Sequence, residues 1–480
     1  MNTRTVLWLV GVVLIAVAVA QLPSLVWAVV AGEPWLAFAV SSSLGAVLGV
    51  AATLPVRGHE RALDHRAAFL GVTAAWLSAC LLGSVPLLGA GLSPVDAFFE
   101  STSGFTTTGA TLLSGLDALP RSLLLWRSVM QWLGGMGIVV LGIAVFPVLG
   151  VGGMQLFKAD VPGPTKDRLT ARIAETAKIL WVLYASLTVV DAGLLYVGGM
   201  TPFDAACHAL STVSTGGFST HDASFAGYDS PLILLSTTFF MLAGGTSFVV
   251  LHRALAGRLA WRDSPELRAY LGIFVVGAAL IAWDLRTGLP GQFASWAEAL
   301  QSSIFQTASI LTTTGFSSHD FDLWPALSHG VLLGCMFIGG MAGSTAGGPK
   351  VFRALLLVRL SVAQFAGLVH PRSVDVIKLG QRTVDDDVIL SVLGFVGLWL
   401  LAILAGTAVL TGLGSDLYSG FIASIVTLGN YGAGFGSVGP SQTYAGFAPA
   451  AKLTMSGLMI LGRLEIYAVL VLLTAPFWRR

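Results

Sequence analysis

Ser103-Gly104-Phe105-Thr106-Thr107-Thr108-Gly109-Ala110-Thr111 lies between two long apolar stretches, and its centre returns three more times down the chain. The copies are Thr215-Gly216-Gly217-Phe218, Thr313-Thr314-Gly315-Phe316 and Asn430-Tyr431-Gly432-Ala433, each again between apolar stretches. A single copy would be an ordinary turn. Four copies at corresponding points can ring one pore. A glycine in each lets backbone carbonyls turn toward a common point, because the missing Cβ permits φ > 0 and close approach. Carbonyl rings of this kind replace a cation's hydration shell.

The surrounding composition fits a membrane. The chain is 55% hydrophobic and only 11% charged, with a mean hydropathy of +0.81, whereas soluble domains are about 25% charged. Stretches such as 179–199, 271–285 and 388–411 approach the roughly 20 apolar residues a spanning helix needs. They lack the alternation of outer-membrane barrel strands. The net charge of +1 argues neither for nor against a nucleic-acid partner, and none is expected. Most of the 26 Lys and Arg fall on one side of the topology set out below: Arg4, Arg57, Arg61 and Arg66, the groups within 158–178, 253–268 and 350–382, and Arg479-Arg480. The positive-inside rule makes that side, with both termini, cytoplasmic. Cys80, Cys207 and Cys335 are isolated within apolar stretches and are expected to be packing residues.

Residues 5–31 and 35–56 read as a hairpin of two spanning helices, and a unit of roughly 100 residues then repeats. Each unit reads as a spanning helix, a short half-helix ending in the Thr/Gly loop, and a second spanning helix. First helices are expected at 67–91, 178–200, 268–288 and 387–412, and half-helices at 94–105, 202–214, 295–312 and 416–428. Second helices are expected at 120–150, 230–256, 326–360 and 450–476. The predicted fold class is an all-α membrane protein: four pseudo-fourfold repeats around one central pore, with re-entrant pore half-helices and filter loops, preceded by a two-helix hairpin. Its divisions are 1–60, 61–160, 161–260, 261–365 and 366–480.

Residues 217–222 (Gly-Phe-Ser-Thr-His-Asp) match 315–320 (Gly-Phe-Ser-Ser-His-Asp) at five of six positions, which sets Gly217, rather than Gly216, opposite Gly315. A second landmark follows each loop: Gly134-Gly135, Gly244-Gly245, Gly339-Gly340 and Gly462-Arg463. Non-helical loops at membrane depth must be buried in protein or line water. Pairing each with a half-helix aims four C-termini at the centre, each carrying roughly −0.5 of an elementary charge, so the centre attracts cations.

The run 339–348 contains five glycines with Ser344 and Thr345 inside what hydropathy alone would make a helix. Glycine costs about 1 kcal/mol per helical position relative to alanine, so a break into a loop is expected there. A helix-packing surface of small residues is the other reading. Arg463 stands where the other repeats have glycine. A central arginine costs at least about 2.5–3.5 kcal/mol on insertion scales, which points to a positive barrier facing the pore and touching that loop. The bland alternative is a salt bridge to Glu465, although residues two apart on a helix do not face each other. Glu100, in the first half-helix, either hydrogen-bonds backbone amides behind the loop or attracts cations. His221-Asp222 and His319-Asp320 read as exposed turn or cap residues, His208 as packing, and Asp191 and the Asp284/Arg286 pair as snorkelling groups near helix ends. No catalytic set is present, and 339–348 lacks the strand-to-helix context of a phosphate loop.

These motifs, with Gln131-Trp132-Leu133-Gly134-Gly135-Met136-Gly137 and Gly462-Arg463-Leu464-Glu465, resemble the TrkH/KtrB superfamily of bacterial potassium uptake proteins, and the N-terminal hairpin resembles its TrkH branch. The resemblance implies that Gly109, Gly217, Gly315 and Gly432 are filter glycines. K⁺ would then bind carbonyls of Thr108, Gly109, Gly216, Gly217, Thr314, Gly315, Tyr431 and Gly432. It implies an intramembrane gate comprising Gly339, Gly340, Gly343, Ser344, Thr345, Ala346, Gly347, Gly348 and Arg463. It further implies K⁺ as the transported ion, a homodimer in the lipid of the bacterial inner membrane, and no organic cofactor in this chain. NAD(H) or ATP/ADP would sit on a TrkA-type cytosolic ring docked on the basic loops 151–177, 257–267 and 361–386. Asn430-Tyr431 replaces the threonine pair and makes the ring asymmetric. Beside a channel-like pore stand a K⁺ symporter coupled to H⁺ or Na⁺ and, remotely, an organic-solute carrier or membrane enzyme.

Overall fold

The computed structural model describes residues 3–56, 64–144, 166–258, 264–370, 377–380 and 382–479. Arg57, Arg61, Lys158, Arg262, Arg372 and Arg480, much of the three basic loops, and the end assigned to the helix at 120–150 lie outside the described residues.

The N-terminal hairpin comprises α1 (Thr3–Ala20), α2 (Leu22–Ala31) and α3 (Leu36–Thr53), with α1 and α2 forming one span that breaks at Gln21. Repeat 1 follows as α4 (His65–Gly89), α5 (Pro94–Phe105) and α6 (Arg121–Ala144). Repeat 2 holds α7 (Lys166–Val197), α8 (Pro202–Val213), α9 (Pro231–Gly244) and α10 (Phe248–Leu255). Repeat 3 holds α11 (Pro265–Gly288), α12 (Trp296–Leu311), α13 (Ala326–Met336) and α14 (Val351–Val369). A small hairpin, β1 (Lys378–Leu379) against β2 (Arg382–Thr383), leads to repeat 4: α15 (Asp386–Gly412), α16 (Leu417–Gly429), α17 (Pro449–Arg463) and α18 (Tyr467–Leu470), with the short α19 (Ala475–Trp478) last. Among the described residues, eight helices are long and apolar enough to cross a membrane, or ten if each bent pair counts as one span. The fold is an α-helical, multi-pass membrane protein of four pseudo-repeats.

The half-helices α5, α8, α12 and α16 form where polar caps set their starts. Ser93, Thr201, Ser295 and Asp416 each accept a backbone N–H of the first turn, and Pro94 and Pro202 stand where a missing N–H costs nothing. The landmark glycines then let second helices run against the inner ends of the half-helices. A Cβ on Gly134 would strike Phe105 O, one on Gly244 would meet Val213 O, and one on Gly462 would strike Leu428 O.

The sequence reading requires correction at the second helices. A break was expected only at 339–348, yet α9 and α10 are bent by 111° and α17 runs into the segment 467–473 at 110°. Phe248 N, past the first bend, donates to Gly343 O of the repeat 3 loop at 3.1 Å, so tertiary contact carries the amide a continuous helix would use. At the second bend Glu465 and Ile466 take left-handed backbone, φ 61° and 58°. Helix α7 also begins at Lys166, twelve residues before the expected start.

Candidate functional site: a carbonyl ring and the loop beneath it

Each half-helix ends in the same way. Thr107, Thr215, Thr313 and Asn430 take left-handed backbone (φ 52° to 59°) and donate to Gly104 O, Thr212 O, Ile310 O and Thr427 O. The next amides, of Thr108, Gly216, Thr314 and Tyr431, reach back to Ser103 O, Ser211 O, Ser309 O and Val426 O. This is the αL termination that glycine usually provides. In the first three copies a threonine accepts it, a conformation that costs an L-residue about 1–2 kcal/mol. Two residues on, Gly109, Gly217, Gly315 and Gly432 have φ of 78° to 82°.

The four loops close on one another. A Cβ on Gly109 would collide with Gly216 O, one on Gly217 with Thr314 O, one on Gly315 with Tyr431 O, and one on Gly432 would stand 2.5 Å from Thr108 O. Each glycine therefore abuts the carbonyl of the next repeat, in the order 1 to 2, 2 to 3, 3 to 4 and 4 to 1. The four glycines line one cavity of about 210 Å³ opening outward past Thr111, Asp222, Ser317 and Tyr444. The following residues of the quoted copies differ: Ala110 and Phe316 are buried outside the cavity lining, whereas Phe218 and Ala433 line it. Phe316 O faces away from it, accepting from Ser309 Oγ at 2.6 Å.

The fourth copy departs from the others in its side chains. Asn430 Nδ2 donates to Thr108 Oγ1 at 2.9 Å and Met459 O at 3.0 Å, the Tyr431 hydroxyl donates to Met336 O at 2.5 Å, and Tyr444 donates to Gly432 O at 2.8 Å. Threonine hydroxyls supply the equivalent rigidity elsewhere: the Thr106/Thr108 and Thr312/Thr314 pairs are each 2.7 Å apart.

Glu100 lies behind loop 1 with its carboxylate fully engaged. It accepts from Leu112 N, Thr111 Oγ1 and Arg127 Nε, each at 2.9 Å. Arg127 was not singled out in the sequence, nor was Gln131 as a site residue, yet both brace the ring. The Arg127 guanidinium donates to Ser219 O and Thr111 Oγ1 and lies 4.1 Å from the centre of the Phe218 ring. Gln131 clips loop 2 at both flanks, donating to Gly216 O at 2.6 Å and accepting from Phe218 N at 3.0 Å. A Cβ at residue 216 would strike the Gln131 side chain, so glycine stands where repeats 1 and 3 carry threonine. The available signal was Arg127 and Gln131, two large polar residues four apart on one face of a largely apolar helix.

The helix of repeat 3 stops at Met336 and resumes at Val351, and the loop between them threads under the ring. Thr345 N and Oγ1 donate to Gly244 O at 3.2 and 3.0 Å, and Thr215 Oγ1 donates to Thr345 Oγ1 at 3.2 Å. Gly347 N donates to Thr313 Oγ1 at 2.7 Å and Gly348 N to Gly429 O at 2.9 Å. Gly339, Gly343 and Gly348 have positive φ, Gly340 O accepts from Val351 N, the Ser344 hydroxyl donates to Met341 O, and Ala346 O takes the Lys350 ammonium. Arg463 is buried beside the loop, donating to Thr345 O at 2.8 Å and to Gly134 O at 3.0 Å. It makes no salt bridge with Glu465, which pairs instead with Arg353. The loop thus touches repeats 2, 3 and 4 directly and repeat 1 through Arg463.

The outer ends of the half-helices carry Asp96, Asp204, Glu298 and Asp416 in or at their first turns. Burial alone would raise the Asp96 and Asp204 carboxyls, but hydrogen bonds hold both below the usual range, from Lys452 and Ser93 on Asp96 and from Thr201 and Thr220 on Asp204. Hydrogen bonding by Ser419 lowers exposed Asp416. Asp96, Asp204 and Asp416 are therefore charged at neutral pH and favour cations at the rim. His221 joins the rim by pairing with Asp117, Asp222 accepts from Leu116 N, and Asp320 caps a short 3₁₀ turn. His208 is buried, with Nε2 2.9 Å from Ser219 Oγ. Asp191 and Asp284 do not snorkel. Asp284 accepts from the backbone N–H and hydroxyl of Ser328, and Asp191 is fully buried with neither carboxylate oxygen hydrogen-bonded.

A membrane bundle in which four pseudo-repeats bring their re-entrant loops to one axis, carbonyl against glycine, defines a protein that moves ions rather than one that makes or breaks bonds. The family model for TrkH, described as a cation transport protein, matches residues 36–274 and 291–478. The Trk system potassium uptake protein TrkH of Vibrio parahaemolyticus is 41% identical, and that of Escherichia coli K12 is 39% identical, each alignment covering 100% of both chains. The crystal structure of the potassium transporter TrkH from Vibrio parahaemolyticus superposes with a TM-score of 0.91 at 38% identity, again over 100% of both chains. The chain belongs to the TrkH family.

Proposed function

We propose that this chain carries K⁺ inward across the bacterial inner membrane through the ring at Gly109, Gly217, Gly315 and Gly432, with the loop 339–348 and Arg463 as its gate. The observation that carries this reading is the closed circuit of glycine against neighbouring carbonyl, which gives dehydrated K⁺ fixed backbone dipoles of Thr108, Gly216, Thr314 and Tyr431. The glycine carbonyls of the same loops supply the outer ligands. The relatives named as potassium uptake proteins support the choice of ion. Flux follows the membrane potential, worth about 2.3 kcal/mol per charge at 100 mV. Beneath the ring, the loop fills the path, and the Arg463 guanidinium adds a positive barrier. Both termini are cytoplasmic, the protein is a homodimer, and its basic cytoplasmic surfaces dock a TrkA-type ring that carries the regulating nucleotide. The relatives' names place them in a Trk system, which supports such a partner.

The test is Rb⁺ uptake into proteoliposomes holding the purified chain, under a K⁺-diffusion potential. Uptake competed by K⁺ and indifferent to Na⁺ and to a pH gradient is expected. Uptake that requires a H⁺ or Na⁺ gradient would replace this reading with coupled symport, for which the fully buried carboxylate of Asp191 is the residue to substitute first.

A further inference from the structure

The loop beneath the ring is fastened by a carboxylate outside it. Glu266 stands in the first turn of α11, where its Oε1 accepts from Ala342 N at 2.7 Å. The first turn of α14, with Lys350 before it, stands beside the same carboxylate. Ala342 precedes the residues that cross under the filter, and Phe352 follows them. The Ala342 amide is therefore held by a group belonging to neither flank of the loop.

Two cationic side chains, Lys350 and Arg353, stand beside Glu266. Lys350 is turned to Ala346 O, and Arg353 donates to Pro349 O, pairs with Glu465 and stacks 3.6 Å from the centre of the Phe395 ring. Three positive-φ glycines leave the loop little intrinsic stiffness, so its position depends on outside anchors. Arg463 anchors its middle from repeat 4, and Glu266 anchors it at Ala342 from α11.

We infer that Glu266 is a positioning residue that latches the loop 339–350 across the pore at Ala342 and couples it to the cytoplasmic end of α11, so that displacing that helix end releases the loop. The inference rests on the reading of this loop as the gate. Glu266 touches neither the ring nor the ion path, so its effect is on occlusion and not on ion choice.

The experiment compares wild type, Glu266→Ala and Glu266→Gln as full-length chains in proteoliposomes, by Rb⁺ uptake with K⁺ and Na⁺ competition. Each also carries Ala346→Cys for measuring the rate of thiol modification from the cytoplasmic side. Leaving the buried Ala342 amide without its acceptor shifts an equilibrium by about 10- to 100-fold. Faster uptake and faster modification on that scale are expected for Glu266→Ala, smaller increases for Glu266→Gln, which keeps one acceptor oxygen, and unchanged K⁺ over Na⁺ preference for both. Wild-type uptake and modification rates in folded Glu266→Ala overturn the latch. So does a change in ion preference, or an absence of uptake in every chain with unchanged thiol reactivity. Should Glu266→Ala not fold, a wild-type modification rate in Glu266→Gln overturns it equally. Wild-type uptake that K⁺ does not compete refutes the pore reading instead, a result the thiol rates would not reproduce.

Discussion

Replacing Gly432 by alanine tests whether the carbonyl circuit is the ion path. Gly432 has φ +78°, and its added Cβ would lie 2.5 Å from Thr108 O and 3.1 Å from the Gly109 carbonyl carbon, all backbone atoms. Ordinary contact begins near 3.4 Å, so the Thr108 carbonyl or the Gly432 backbone must yield by about 0.9 Å. Neither atom belongs to a flexible side chain, and Gly432 O is also tied to Tyr444. Left-handed backbone adds about 1–2 kcal/mol for an L-residue, a factor of about 5–30 in an equilibrium. Gly432→Ala should therefore reduce K⁺-competed Rb⁺ uptake by at least about that factor and let Na⁺ compete more effectively, because one ligand has left its radius. The control is Gly115→Ala, which bears a similar φ of +69° with nothing within 4 Å. It incurs the conformational cost without a collision, so it should lower thermal stability slightly and leave uptake and ion preference at wild-type values. Wild-type uptake and ion preference in folded Gly432→Ala would refute the assignment. Equal losses in both variants would show that backbone strain, not carbonyl displacement, governs the effect.

Arg463→Ala removes the donors to Thr345 O and Gly134 O; it should raise Rb⁺ uptake and weaken regulation by a cytosolic ring, and unchanged flux and regulation would disprove its role as barrier. Gln131→Leu strands Phe218 N, at a cost of about 1–3 kcal/mol, and frees Gly216 O; a lower unfolding midpoint together with weaker K⁺ over Na⁺ competition should follow in parallel assays. Glu100→Gln leaves Arg127 buried without its counter-charge, a loss of about 3–5 kcal/mol when one partner of a buried pair is removed. That variant should show the largest drop in midpoint of these, with Arg127→Met in the same chain recovering part of it.

Much of the architecture was legible because its signals are local. Ser93, Thr201, Ser295 and Asp416 before short apolar runs mark the half-helix starts, and the Gly217/Gly315 register follows from a six-residue match. The left-handed glycines occupy the expected positions. Less local features escaped. The bends after Gly244 and Arg463 were read as continuous helix because hydropathy does not register where an amide finds its acceptor. Asp191 and Asp284 were read as snorkelling because a position near a helix end does not reveal whether neighbouring helices cover it.

By itself the sequence determined a membrane bundle with four pore loops, since hydropathy, caps and glycine placement act within a few residues of chain. Only the tertiary structure decided that each glycine meets the carbonyl of the next repeat, that threonines adopt left-handed backbone, that Arg463 reaches Thr345 and Gly134 rather than Glu465, and that Arg127, Gln131 and Glu266 support the ring and the loop. Those contacts join residues tens to hundreds of positions apart, and their geometry exists only once packing has brought the four repeats onto one axis.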